Sequence, residues 1–171
     1  LLNNLAGQSP LLDGVIVFFA QYLAYVLGVL LCVWIFTSTY SRKEKLNILF
    51  VTLASGVLAR IGITELIRFF IHRPRPFLVL PVHQLLNDAA WSFPSGHATF
   101  FFALSTAVYL YNKTWGRVFF AGTILVTVSR VIAGIHYPSD IVGGAIIGVL
   151  TGYFVYFMVS RWTLKSANET Y

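Results

Sequence analysis

The stretch "WSFPSGHATFFF", Trp91 to Phe102, sets two helix breakers, Pro94 and Gly96, beside a lone His97. An aromatic and aliphatic run follows at once. A proton-carrying imidazole at the mouth of an apolar helix places that residue at the depth of a lipid headgroup. Working outward, apolar runs of spanning character predict helices over residues 11–36, 46–71, 97–111, 117–135 and 139–161. The expected fold class is all-α: an integral membrane helical bundle of about five transmembrane helices. The opening "LLNNLAGQSP" is too polar to span and predicts a short interfacial helix, while Pro10 and Asp13 suit the start of the first long one.

Composition agrees with the helix pattern. Of 171 residues, 57% are hydrophobic and 11% charged, where a soluble domain is about a quarter charged. One domain over 1–171 is expected. The net charge of +6 would suggest nucleic acid in a soluble chain. Here basic residues punctuate apolar runs, so no nucleic-acid partner is expected. Cys32 is the single cysteine, which excludes an internal disulfide. The chain starts at Leu1 rather than Met, as a trimmed sequence does. No cleavable leader is expected, because no basic segment precedes the first long apolar run.

The basic residues fall into two sets. Arg42, Lys43, Lys45, Lys113, Arg117, Arg161 and Lys165 would share one side of a five-helix bundle, which the positive-inside rule makes cytoplasmic. Arg60, Arg68, Arg73, Arg75 and Arg130 lie within helices or between the second and third. With that topology three distant segments meet at the outer face: "RFFIHRPRPF" with Arg68 and Arg75, "PSGH" with Ser95, Gly96 and His97, and "SRVIAGIHYPSD" with Ser129, Arg130, His136 and Asp140.

Arginine forks suit phosphate oxygens and stay charged, and several together stabilise a transferring phosphoryl group. Gly96 permits close backbone approach, and a helix N-terminus favours anions. Two histidines provide a nucleophile and a proton donor. Asp140, four residues after His136, could accept from one imidazole nitrogen and leave the other free to attack. No cysteine or carboxylate cluster offers a divalent-metal site, so neither metal nor cofactor is expected.

Arg68-x6-Arg75-Pro76, Pro94-Ser95-Gly96-His97 and Ser129-Arg130-x5-His136-x3-Asp140 together resemble the three-part signature of the type 2 phosphatidic acid phosphatase (PAP2) superfamily. Arg68 stands where that family usually has lysine. The resemblance implies His136 as nucleophile through a phosphohistidine, Asp140 as its orienter and His97 as proton donor to the leaving oxygen. It implies Arg68, Arg75, Ser95, Gly96 and Arg130 as phosphate-binding. The short chain is most similar to bacterial undecaprenyl-diphosphate phosphatases of the bacitracin-resistance type, which often carry aspartate where Gly96 stands. That branch implies a polyprenyl diphosphate substrate among membrane lipids, met from the outside face of the cell membrane. A phosphatidic acid or phosphatidylglycerol phosphate phosphatase would use the same site. A vanadate-dependent haloperoxidase shares the anion pocket, but five apolar spans argue against it.

Other polar residues have simpler readings. Arg60 pairs with Glu65 or bonds between helices as readily as it meets substrate. Arg73 and His72 are candidates for rim residues that attract anionic headgroups. His83 and Asp88 read as surface loop residues. Gly144, Gly148 and Gly152 form a small-residue seam for close helix packing. Trp91, Phe77 and Trp115 read as interface anchors.

Overall fold

The computed structural model describes residues 2–168, with side chains through Arg161. Lys165, one of the orienting basic residues, lies outside the described side chains. After a 3-10 turn at Leu2–Leu5, the chain forms α1 (Pro10–Thr37) and α2 (Arg42–Phe70). The short α3 (Pro76–Val79), α4 (Gly96–Tyr111), α5 (Lys113–Ile132) and α6 (Pro138–Asn168) follow. No strand occurs among the described residues.

Local chemistry explains where these helices begin and end. Ser9 caps α1, with Pro10 in the first turn, where its missing N–H costs nothing. α2 starts four residues before the expected 46 because Ser41 and Glu44 form a reciprocal capping box. Asn112 ends α4 and starts α5: its N–H donates to the Val108 carbonyl at 2.8 Å, and its Oδ1 accepts from the Trp115 N–H at 3.1 Å. α5 stops at Ile132, short of the expected 135, because Gly134 takes a left-handed turn with φ of 77°. Its amide donates to the Val131 carbonyl.

Four of the five long helices, α1, α2, α5 and α6, have the length and hydropathy to cross a membrane. α4 does not reach that length. At 16 residues it is about 24 Å long, and it lies at the centre of the bundle, packed against α2, α5 and α6. The expected all-α membrane bundle is what the structure shows, with four helices of spanning length around a shorter fifth, α4. Large apolar side chains such as Leu11, Tyr25, Phe36, Phe69, Phe70 and Leu150 are exposed around the outside, a surface suited to lipid and far larger than soluble monomers tolerate. The chain is a multi-pass membrane protein.

The seam on α6 packs against α4. A Cβ on Gly148 would lie 2.6 Å from the Thr99 carbonyl oxygen, and one on Gly152 would lie 2.7 Å from that of Ala103. Backbone cannot yield as a flexible side chain would, so these glycines set the α4–α6 spacing and with it the position of Asp140 beside Ser95. The apolar core of Leu27, Leu31, Trp34, Phe101, Leu104 and Phe119 fills the half of the bundle away from the polar loops. Trp115 packs on Trp34 with centroids 5.8 Å apart. Phe77 lies over a second cluster of Ile16, Ala133 and Ile135.

Both α1 and α2 contain a π turn, at Phe18–Tyr22 and Leu58–Ile63, which no hydrophobic pattern predicts. The first presents the Ala20 carbonyl to Arg130 Nη1 at 3.1 Å. The second carries Arg60, whose guanidinium lies over the Cα of Gly96, where a Cβ would collide with it. Thr64 Oγ1 donates to Thr99 Oγ1 at 2.9 Å, which sets the first turn of α4 beside the last turns of α2.

Candidate active site

His136 sits in the tight turn between α5 and α6, held by Gly134 on one side and Pro138 on the other. Asp140, one turn into α6, returns to meet it. His136 Nδ1 lies 3.2 Å from Asp140 Oδ2, and both side chains are buried. Asp140 accepts from more than the imidazole. Ser92 Oγ donates to Oδ2 in a short hydrogen bond, the Tyr137 N–H donates to Oδ2 at 2.9 Å, and Arg73 Nη1 donates to Oδ1 at 2.8 Å.

On the other edge of the imidazole, Arg75 Nη1 is 3.3 Å from His136 Nε2. A guanidinium can only donate, so Nε2 is the acceptor and the ring proton sits on Nδ1, facing Asp140. The ring therefore offers an Nε2 lone pair aimed away from its orienting carboxylate. Burial, reinforced by the charges of Arg130 and Arg75, pushes the His136 pKa down to about 4, against an upward pull from the Asp140 hydrogen bond. The imidazole is a neutral base at physiological pH.

Arg75 is anchored by bonds to the Ala90 carbonyl at 2.7 Å and the Ile135 carbonyl at 2.8 Å. Burial lowers its pKa and the Asp88 carboxylate raises it. Arg130, near the end of α5, approaches His97 Nε2 at 3.5 Å. The His97 ring stacks on Phe101, with centroids 6.3 Å apart. Arg68 Nη2 donates to the Pro94 carbonyl at 3.0 Å, tying α2 to the Ser95 turn, whose Phe93–Pro94 peptide is cis. The Ser95 N–H donates to the Asp140 carbonyl at 3.1 Å. Ser95 precedes α4, but its side chain caps no backbone N–H.

The structure thus brings Arg68, Arg75, Ser95, Gly96, His97, Arg130, His136 and Asp140 to one end of the bundle. Among the described residues, three buried side-chain atoms meet no partner: Arg68 Nε, Ser95 Oγ and Arg130 Nε. Buried polar atoms are nearly always satisfied. All three exceptions fall on residues expected to bind phosphate. Two are guanidinium donors and the third is a hydroxyl at a helix N-terminus, a set matched to an oxyanion.

Several residues depart from their sequence readings. Asp88 is not a free surface residue: its Oδ2 lies 2.8 Å from Arg75 Nη2 and 3.3 Å from Arg130 Nη2. His83 is an exposed loop residue, as its reading had it, and its backbone N–H donates to Asn3 Oδ1 at 2.9 Å. Arg73 is no loose rim residue either. It holds Asp140 and Ser139, and its guanidinium lies 3.8 Å from the Tyr137 ring centroid. His72 stacks on Trp91 at 4.9 Å. Arg60 pairs with Glu65, as one of its two readings had it, and Glu65 also meets Arg68 at 3.3 Å. Ser92 was missed, since a lone serine in a loop carries no periodic or motif signal. Among the described residues no three His, Cys, Asp or Glu side chains cluster as a metal site would require.

Comparison with known proteins follows the same lines. The PAP2 superfamily matches residues 44–164, a span that contains all eight of these residues. The chain is 35% identical over 166 residues to the undecaprenyl-diphosphatase BcrC of Bacillus subtilis strain 168, covering 93% of this chain and 80% of that protein. It is 31% identical over 162 residues to the bacitracin transport permease protein BcrC of Bacillus licheniformis, covering 94% and 78%. Among solved structures, it superposes on Aquifex aeolicus LpxE with a TM-score of 0.71 and 31% identity, over 90% of this chain and 89% of that one.

Proposed function

This chain belongs to the PAP2 superfamily, and on that premise we propose that it hydrolyses undecaprenyl diphosphate to undecaprenyl phosphate and orthophosphate. The observation that carries the proposal is the pair of guanidinium groups, Arg75 beside His136 and Arg130 beside His97, with a buried unpaired donor on Arg130. The BcrC relatives supply the substrate class.

The bond changes follow from the tautomer. The terminal phosphorus is seated among Arg68, Arg75, Arg130, Ser95 and the first amides of α4. His136 Nε2 attacks it, and the P–O bond of the anhydride breaks as a P–N bond forms. His97 gives a proton to the departing oxygen of the lipid monophosphate. Asp140 stabilises the positive charge that develops on the His136 ring through the Nδ1 proton. Water then attacks the phosphohistidine, passing a proton to His97, and orthophosphate leaves with His136 restored. The arginines act chiefly on charge that spreads over the equatorial oxygens during transfer.

Phosphate release from a panel of polyprenyl diphosphates, polyprenyl monophosphates, phosphatidic acid and phosphatidylglycerol phosphate tests this reading. The polyprenyl diphosphate is expected to give the highest kcat/KM, unchanged by EDTA. A preference for a diacylglyceryl phosphate would move the assignment to that substrate, and EDTA inhibition reversed by magnesium would overturn the metal-free route. Tight binding of lipid diphosphate with no phosphate released would favour a carrier, as the permease name of the Bacillus licheniformis relative suggests.

The site faces outside in this proposal, because Arg42, Lys43, Lys45, Lys113 and Arg117 gather at the opposite end of the bundle. Gln84, exposed in the loop before α4, offers a test in a Cys32→Ala background. Gln84→Cys in intact cells is expected to react with an impermeant thiol reagent. Labelling only after lysis would place the site on the cytoplasmic face.

A further inference from the structure

We propose that Asp88 is a tethered rival for the phosphoryl seat: its carboxylate claims the same two guanidinium groups as the substrate, and both substrate and orthophosphate exchange against it. The inference rests on the phosphatase reading above and concerns how that site fills and empties.

A single oxygen, Asp88 Oδ2, meets Arg75 Nη2 at 2.8 Å and Arg130 Nη2 at 3.3 Å. The other terminal nitrogen of each arginine faces a histidine, His136 at 3.3 Å and His97 at 3.5 Å. A phosphoryl oxygen bridging these two guanidiniums between the two imidazoles would have to stand where Oδ2 stands. Two anions cannot share that place, so one must leave.

The cavities point the same way. One of about 290 Å³ is bounded by Gln21, Tyr25, His97 and Arg130, together with Asn87 and Asp88. A second, of about 380 Å³, is bounded by Arg75, Phe77 and Trp91, together with the same Asn87 and Asp88. These two residues are the wall the cavities share. Withdrawal of Asp88 joins the His97 side to the Arg75 side and lets one phosphoryl group touch both.

The loop is built so that a small part of it moves. Asn3 clamps its near end, accepting from the His83 N–H and donating to the carbonyls of His83 and Ile132. The Leu85 N–H adds a bond to the Ala133 carbonyl. Beyond that point Asp88 is held by its two ion pairs and by one local contact, in which Oδ1 accepts from the Ala90 N–H at 3.1 Å. Its side chain is 29% exposed and has a path outward. A diphosphate brings more charge and more acceptors than one carboxylate and displaces it. Orthophosphate, stripped of its lipid, is displaced in turn when the carboxylate returns.

Inhibition by orthophosphate tests this directly. Asp88→Asn, which keeps the shape and removes the charge, is expected to lower the inhibition constant for orthophosphate by about tenfold or more. Asp88→Glu is expected to stay within about threefold of the wild type. Equal or weaker phosphate binding in Asp88→Asn would overturn the inference. A second measurement needs no variant: amide hydrogen exchange of the wild-type protein with and without saturating orthovanadate. The Ala90 amide is expected to exchange faster with vanadate bound, since its acceptor has left; unchanged or slower exchange would overturn the inference. Vanadate or phosphate inhibition of the wild type without the Asp88 effects would sink this inference alone. Absence of both phosphate release and oxyanion inhibition would sink the phosphatase reading beneath it.

Discussion

Replacing His136 with alanine is expected to lower kcat by about 10⁴-fold or more, because no other group can take over the attack on phosphorus. The protein is expected to remain folded. Without the imidazole, Asp140 still accepts from Ser92, the Tyr137 amide and Arg73, and Arg75 still donates to Ala90 and Ile135. The loss should therefore appear in turnover, with the melting temperature shifted by only a few degrees. In the wild type, burial holds the His136 pKa near 4, so the free base predominates down to that pH. The acid limb of kcat/KM assigned to His136 is expected near pH 4, well below the 6.5 of an unperturbed imidazole. A phosphate-release profile over pH 3.5–8, corrected for ionisation of the substrate, measures it. An alanine variant within a hundredfold of wild type would remove His136 from the nucleophile's role.

Much of this site is visible in the sequence because its parts lie at element ends. Arg68, Arg75, Ser95, His97, Arg130 and Asp140 each lie within a few residues of the end of an apolar helix, and alternating helix direction carries those ends to one face. What is hidden comes from the stretch between α2 and α4. It has no hydrophobic period, and its partners are far off in sequence: Asp88 meets Arg130 across 42 positions, and Ser92 meets Asp140 across 48. No local pattern announces such pairs. The central place of α4 in the bundle is hidden for a different reason. Its apolar character matches that of a spanning helix, but α2, α5 and α6 use that character for packing, whereas the outer faces of the other helices meet lipid. The π turns are likewise silent, since one extra residue in a uniformly apolar run leaves the composition unchanged.

The carboxylate behind His136 gives the second large effect. Asp140→Asn is expected to lower kcat by about 10⁴-fold, the loss seen when an orienting carboxylate is replaced by its amide in a catalytic triad. The reason is donor and acceptor count. Asp140 is acceptor-only and receives four donors: Arg73 Nη1 on one oxygen, and Ser92 Oγ, the Tyr137 N–H and His136 Nδ1 on the other. An asparagine amide has one oxygen. If its NH₂ takes the place of Oδ2, it faces the Tyr137 N–H donor to donor and makes His136 Nδ1 an acceptor. The ring proton then moves to Nε2, the attacking atom, where it also meets the Arg75 Nη1 donor. If the amide is reversed, the tautomer survives, but the NH₂ faces Arg73 and drives that guanidinium from its place over Tyr137. Arg73→Gln separates the two cases, since it removes the competing donor that disfavours the reversed amide. Asp140→Asn combined with Arg73→Gln is expected to recover part of the lost turnover by letting the amide oxygen face His136. A double variant no faster than Asp140→Asn alone would show that the negative charge itself, rather than the tautomer it enforces, is what His136 needs from Asp140 during attack.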